Sequence, residues 1–537
     1  MAPTVSFFRP FAVDGPLASK LIRRVLGASL LGVCVLARAA DAPTRFDVWE
    51  YRVNGNTLLP QTTIEKVVYP FLGPDRSFED VDAVRGALEQ AYAQAGYRTV
   101  AVNLPQQEVH SGVVQIEVVE RPIGRLRVSG ARYFSPEAMK AAVPALAPGT
   151  VPHFPTVQQQ LDRLRGNPDR EFFQVLREGP REDQVEVELK VKDRSPLHGE
   201  VSVNDRYSAN TERLRTAVSL RYDNLWQREH GVGLTWITAP QSPADATVFA
   251  ATYKLPFGGD RRVLALYAVH SESDVAALGG VGVIGNGDIF GARWVLPLGG
   301  DASFYHTLTL GVDHKQFQET LNLLGSDSIN TPIGYTPFLA EYSAVATDAD
   351  GQWRGKAALH FAPRGLFGND EAEFANKRFL AKPNYVYVDA GLERSRRLPA
   401  DFQLRAALDG QLADEPLISN EQYAAGGADT VRGYLEAEEL GDRGVRGGLE
   451  LSAPPYRGVP GLDELIALAF VEGARLWVVK PLPGQISHSQ LASTGLGLRA
   501  SLRKQLSAAV DLALPLTDAS TTQAGDWRWH FALEYAF

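Results

Sequence analysis

From about Leu197 to Phe537 the chain is built from short segments in which apolar and polar residues alternate. "RTAVSLRYDN", "TVFAATYKLPF", "RVLALYAVHS", "NYVYVDAGLE" and "TGLGLRASL" are typical. A period of two is the signature of a strand with one apolar and one polar face. About sixteen such segments occur, and their spacing suits strands of roughly ten residues tilted across a bilayer. The last, "WRWHFALEYAF", puts Trp527, Trp529, Phe531, Leu533, Tyr535 and Phe537 on one face and Arg528, His530 and Glu534 on the other. A strand standing between lipid and a wet lumen has this form. Backbone polar groups find no partner in lipid, so such strands cross only as a closed barrel. The pattern predicts a membrane β-barrel of about 16 antiparallel strands over 197–537. Trp529, Phe531, Tyr535 and Phe537 read as its C-terminal barrel signal.

Upstream, the pattern changes and is used twice. The first unit opens with the extended "FDVWEYRVNGNTLL". Next comes a helical stretch in which Val81, Val84, Leu88 and Tyr92 recur at helical spacing, with Gly96 as its stop. Two strands close it, the second carrying Val114, Ile116 and Val118 on one face. The second unit restarts at Ile123, has helical segments over 136–146 and 156–164, and ends on Val185, Val187, Leu189 and Val191 in alternation. "VNGN" and "VSGA" occupy matching early turns, which marks an internal repeat. The units resemble polypeptide-transport-associated (POTRA) domains, so two α+β POTRA domains are expected at 46–120 and 121–194. Such modules bind extended clients by adding a strand to an open sheet edge.

The extreme N-terminus has Lys20, Arg23 and Arg24, then the apolar "VLGASLLGVCVL", then "ARA" at 37–39. This is the form of a secretory signal peptide over 1–39. Cleavage there removes Cys34, the only cysteine, and with it any disulfide or thiolate chemistry. The net charge of −9 argues against nucleic acid as a partner. No nucleophile-elbow or zinc-protease motif is present, and the nearest approach to a phosphate loop, "GQWRGKA" at 351–357, has the wrong glycine spacing and reads as a hairpin turn. An enzyme is therefore not expected, nor any metal or cofactor.

One stretch breaks the alternation. Gly410 to Leu451 reads "GQLADEPLISNEQYAAGGADTVRGYLEAEELGDRGVRGGLEL". Gly-Gln, Pro-Leu, Glu-Gln, Gly-Gly, Val-Arg-Gly-Tyr and Gly-Asp-x-Gly follow in the order found in the two-partner secretion transporters, the hemolysin secretion/activation family, which this sequence closely resembles. The resemblance implies an outer-membrane transporter with its POTRA domains in the periplasm. These would recognise an unfolded secreted partner protein, which the barrel then exports. It also implies a loop, 424–444, folded back into the lumen. Val431, Arg432, Gly433 and Tyr434 would form its tip, and Gly426, Gly427, Gly441, Asp442 and Gly444 would support it.

The family places an acid on the inner wall opposite the arginine. By position this is Glu472, with Asp389 as an outside candidate. The family usually has Asp, in Phe-x-Asp-x-Gly, whereas here Gly473 follows Glu472 directly. An exposed pair of this kind would contribute only about 0–1 kcal/mol. Only six residues separate the expected cleavage site from Phe46, so the plug helix that many members carry is not expected. Membrane lipid and the barrel-assembly machinery are the further partners implied. A barrel-assembly insertase of the same superfamily shares the loop arginine but usually has more POTRA domains. A passive porin or receptor would need none.

Overall fold

The computed structural model describes residues 45–537, apart from 110, 182, 210, 244–245, 258–261, 273–275, 279–280, 284–285, 302, 319 and 323–327. The signal peptide and the segment up to Phe46 lie outside the described residues. Two compact units are present, an N-terminal one and the barrel.

In the N-terminal unit the repeat is visible as two three-stranded sheets. The first runs Glu50–Asn54, Val113–Glu120, Val100–Asn103, with a parallel then an antiparallel pairing. Its helix Phe78–Gln94 starts at Ser77, which forms a capping box with Asp80. Val84, Leu88 and Tyr92 from the helix pack on Val114, Ile116 and Val118 from the sheet. A second helix, Gln61–Val68, follows Pro60; the strand, helix, helix, strand, strand order of the repeat implies it, but eight residues give the helical period little more than two turns by which to place it. The second sheet orders Ile123–Ser129, Val185–Asp193, Arg170–Glu178, with helices Pro136–Ala141 and Phe154–Arg165. The repeated Val-x-Gly turn has a steric cause. Gly55 and Gly130 adopt φ of +84° and +86°, and a Cβ on either would collide with the carbonyl oxygen of Val118 or Val191.

The second unit is a closed antiparallel barrel of sixteen strands, from Leu197–Asn204 to Arg528–Ala536. One strand is interrupted at Thr336 and Pro337. Its two parts, Ile333–Tyr335 and Phe338–Thr347, both pair with Phe304–Gln318. Connections alternate in length around the ring. At the end where the chain enters they are tight, as at 226–229, 348–350 and 503–505, whereas 362–385 and 414–442 at the other end are long. The outward residues of the last strand, Trp529, Phe531, Leu533 and Tyr535, are all strongly exposed, as a lipid-facing stripe must be. First and last strands meet over a short register, Ala532↔Asn204 to Ala536↔Glu200, and Gly199 and Phe537 extend it by exchanging backbone hydrogen bonds. Among the described residues no helix is long and apolar enough to cross a membrane.

Candidate functional site: an arginine buried in the barrel lumen

The long connection between strands Gln403–Ala413 and Arg443–Ser452 turns into the barrel. It forms a small hairpin of Tyr423–Ala425 with Glu439–Gly441, and between these arms the chain makes the loop tip. Gly426 and Gly427 stand at φ of +110° and +107°, which start the reversal, and Gly433 at +97° turns the tip. Val431 and Tyr434 are fully buried against Ala474, Leu476 and Leu491 of the inner wall. The Tyr434 hydroxyl donates to the carbonyl of Thr517 at 2.8 Å or to that of Ala492 at 2.9 Å.

Arg432 is 5% exposed. Its Nε and Nη2 donate to Glu472 Oε1 at 3.0 and 2.5 Å, and its own backbone N–H donates to Glu472 Oε2 at 2.8 Å. Nη2 also reaches Glu450 Oε2 at 2.9 Å, and Nη1 lies 3.4 Å from Asp511 Oδ1. The guanidinium carbon Cζ sits over the Phe470 ring, 3.5 Å from its centre. Glutamate's extra methylene lets the acid at 472 grip the arginine side chain and its main chain together. Asp389 is not part of this cluster. It pairs with His360 Nε2 at 2.7 Å and Lys356 Nζ at 3.7 Å elsewhere on the wall.

Because Arg432 and its three acids are nearly sealed from water, the small energy expected of an exposed pair does not apply. Removing one partner of a buried charge cluster costs about 3–5 kcal/mol, because the others are left uncompensated. The cluster also carries more acid than base. Arg499 offsets part of this by a two-pronged bond to Asp511 at 2.8 and 2.9 Å.

The tip is fastened to both sides of the barrel seam. On the last strand, His530 Nε2 accepts from the Gly433 amide at 2.8 Å, and Arg528 Nε donates to the Gly433 carbonyl at 3.0 Å. Just beyond the first strand, Arg206 pairs with Asp429 at 2.6 Å, and the Tyr207 carbonyl accepts from the Glu436 amide at 3.1 Å.

Asp442, from the Gly-Asp-x-Gly element, is fully buried. It accepts from the amides of Leu417 at 2.9 Å and Val479 at 2.6 Å, and forms a two-pronged ion pair with Arg378. Arg378 comes from the other long connection, 362–385, so Asp442 ties the two long connections together. Gly441 ends the short hairpin, and Gly444 lies under the Tyr423 ring. Glu421, from the Glu-Gln element, is also buried and accepts from Lys315 Nζ at 2.6 Å, Tyr335 at 2.7 Å and Tyr387 at 2.8 Å. Sequence reasoning missed Glu450, Asp511, His530 and Arg378. A lone acid in the apolar strand "LSAAVDLALP" was the available signal for Asp511.

Comparisons with known proteins agree with this architecture. The model of the POTRA domain, ShlB-type, matches residues 46–121. The model of the haemolysin secretion/activation protein ShlB/FhaC/HecB family matches residues 183–500. The outer membrane transporter CdiB of Dickeya dadantii (strain 3937) is 23% identical over 492 residues, covering 84% of this chain and 78% of the relative. The structure of CdiB from Escherichia coli superposes with a TM-score of 0.64 at 19% identity, over 93% of this chain and 92% of the other. BamA from Haemophilus ducreyi lacking POTRA domains 1–3 gives 0.56 at 15% identity, over 92% of this chain and all of the other. The last two likenesses speak for the fold alone. The family match covers more than half of the chain, and it includes the infolded loop with Arg432 and two of the acids that hold it, Glu450 and Glu472. The chain belongs to the haemolysin secretion/activation protein family and is an outer-membrane transporter of two-partner secretion.

Proposed function

We propose that this transporter captures its secreted partner, unfolded, on a free sheet edge of its POTRA domains and passes it through the lumen when the Arg432 loop moves aside. The observation that carries the capture step is strand Arg170–Glu178. It is nine residues long, has among the described residues a neighbour on one side only in its sheet, and exposes Phe173 at 64% and Leu176 at 43%. A strand of this length with unpaired N–H and C=O groups pairs readily with another extended chain. Phe173 and Leu176 add apolar contact beside that edge.

Arg432, with Gly433 and Tyr434 shaping the tip and Glu472 as main anchor, holds the loop in the lumen in the closed state. Folding of the partner outside makes transport one-way, and no residue performs covalent chemistry. Lipid surrounds the outer wall, and the aromatic last strand addresses the chain to the barrel-assembly machinery. A photo-crosslinking residue at Phe173 or Leu176 is expected to trap the exoprotein in secreting cells. Failure of both positions to yield an adduct, while secretion proceeds at the normal rate, would sink the proposal for this edge.

A further inference from the structure

The outer wall has a groove directly behind Glu472. Across five strands the register brings Gly355, Leu392, Leu408, Gly447 and Gly473 into one row. The neighbouring row holds Trp353, Arg394, Ala406, Leu449 and Val471. Gly355 apart, these residues line an almost wholly apolar groove of about 740 Å³. Glycine inside a strand weakens it, so its presence needs a reason. Backbone conformation does not supply one, because neither Gly355 nor Gly447 has a left-handed φ. A Cβ on either would meet nothing closer than a leucine methyl at 3.7 Å. What the glycines provide is open volume on the lipid side.

The groove runs toward the end of the barrel with the tight turns, where the chain enters. At that level the Arg394 guanidinium lies 5.0 Å from the centre of the Trp353 ring and pairs with Asp348 at 2.7 and 3.0 Å. Two residues further along its strand, Arg396 faces Asp350 at 3.4 Å, with side-chain exposures of 56% and 61%. Asp348 is engaged by both prongs of Arg394, so Arg396 and Asp350 are the cation and anion the rim offers to a headgroup, beside an aromatic ring of the kind that marks a membrane interface.

We propose that the groove seats one acyl chain of a zwitterionic phospholipid of the periplasmic leaflet. Arg396 takes the phosphate of the headgroup and Asp350 takes its ammonium. Charge complementarity selects this occupant, because an anionic headgroup would bring Arg396 its phosphate but no cation to Asp350. Val471 and Gly473 flank Glu472 on the same strand, so the bound chain backs the wall segment that grips Arg432.

The test is native mass spectrometry of the full-length transporter, titrated in detergent with dioleoyl phosphatidylethanolamine or dioleoyl phosphatidylglycerol. One phosphatidylethanolamine is expected to bind at least tenfold more tightly than phosphatidylglycerol. That preference is expected to fall to less than threefold in Asp350→Lys, and Gly447→Leu, which fills the groove, is expected to lose the bound lipid. Heat-modifiable migration on a gel checks that each variant is folded, and Asp350→Lys leaves the groove intact if Gly447→Leu does not fold. Equal retention of both lipids by the wild type, or undiminished binding by Gly447→Leu, would overturn the proposal. Binding of free phosphoethanolamine as tight as that of the lipid would overturn it too, by showing a headgroup site without a chain site.

Discussion

Replacing Arg432 by alanine is expected to free the loop from the lumen wall. The side chain makes two charged hydrogen bonds to Glu472 and one to Glu450, and it lies beside Asp511. Side-chain exposure is 6% for the arginine and 13%, 18% and 8% for the acids, so the energy scale is that of a buried cluster. Truncation leaves three carboxylates facing an empty space, at a cost of about 3–5 kcal/mol. At 1.4 kcal/mol per factor of ten, the ratio of docked to released loop falls roughly 100- to 4000-fold.

Arg432→Lys should fall between wild type and alanine. A single ammonium cannot serve Glu472 and Glu450 while lying flat on Phe470. Arg432→Glu adds a fourth carboxylate and should secrete least, and Glu472→Arg in the same chain should restore part of the loss. Hydrogen exchange of the amides of residues 426–436 reads loop docking, channel conductance in planar bilayers reads closure, and exoprotein in the medium reads transport. If the Ala variant keeps wild-type protection at Arg432 and Gly433, together with wild-type conductance, the arginine is not what holds the loop.

Two further outcomes follow from the same reasoning. Asp442→Ala removes the acceptor of Arg378 and of two backbone amides from a fully buried site, and should lower barrel stability by about 3–5 kcal/mol. An unchanged midpoint in the heat-modifiable gel shift would show that the two long connections are held by other contacts. In the first POTRA domain, the Ser77 backbone N–H and then its hydroxyl hold the Asp80 carboxyl below the ordinary aspartate value. A depressed pKa contributes stability that is present above the unfolded value and lost as pH falls through the folded one. Helix Phe78–Gln94 should therefore begin to loosen below about pH 4. Asp80→Asn should remove that pH dependence of amide exchange in the first turn, and a slope unchanged by the substitution would contradict the assignment.

Much of this molecule was legible before any coordinates. Period-two alternation marked the barrel because lipid and lumen sort side chains on every strand. The Val-x-Gly turns exposed the repeat because only glycine fits beneath the carbonyls of Val118 and Val191. The loop motif pointed to Arg432 and Glu472 by resemblance. What could not be read was the rest of the arginine's shell. Glu450, Asp511 and His530 lie on three different strands, and the register and tilt of a closed barrel bring them together. Burial was equally hidden, since nothing local distinguishes a wet lumen from one packed by its own loops. Helix Gln61–Val68 was implied by the repeat but not placed, because it is too short for its period to stand out.

The attachment of the loop tip across the seam also sets the order in which the molecule is completed. Gly433 owes its amide and carbonyl partners to His530 and Arg528, which belong to the last strand made. Until that strand arrives beside Leu197–Asn204, the tip has no finished seat on that side. Ring closure thus completes the seat of the tip, adding the last strand's hold on Gly433 to the grip that Glu472 and Glu450 supply from earlier strands.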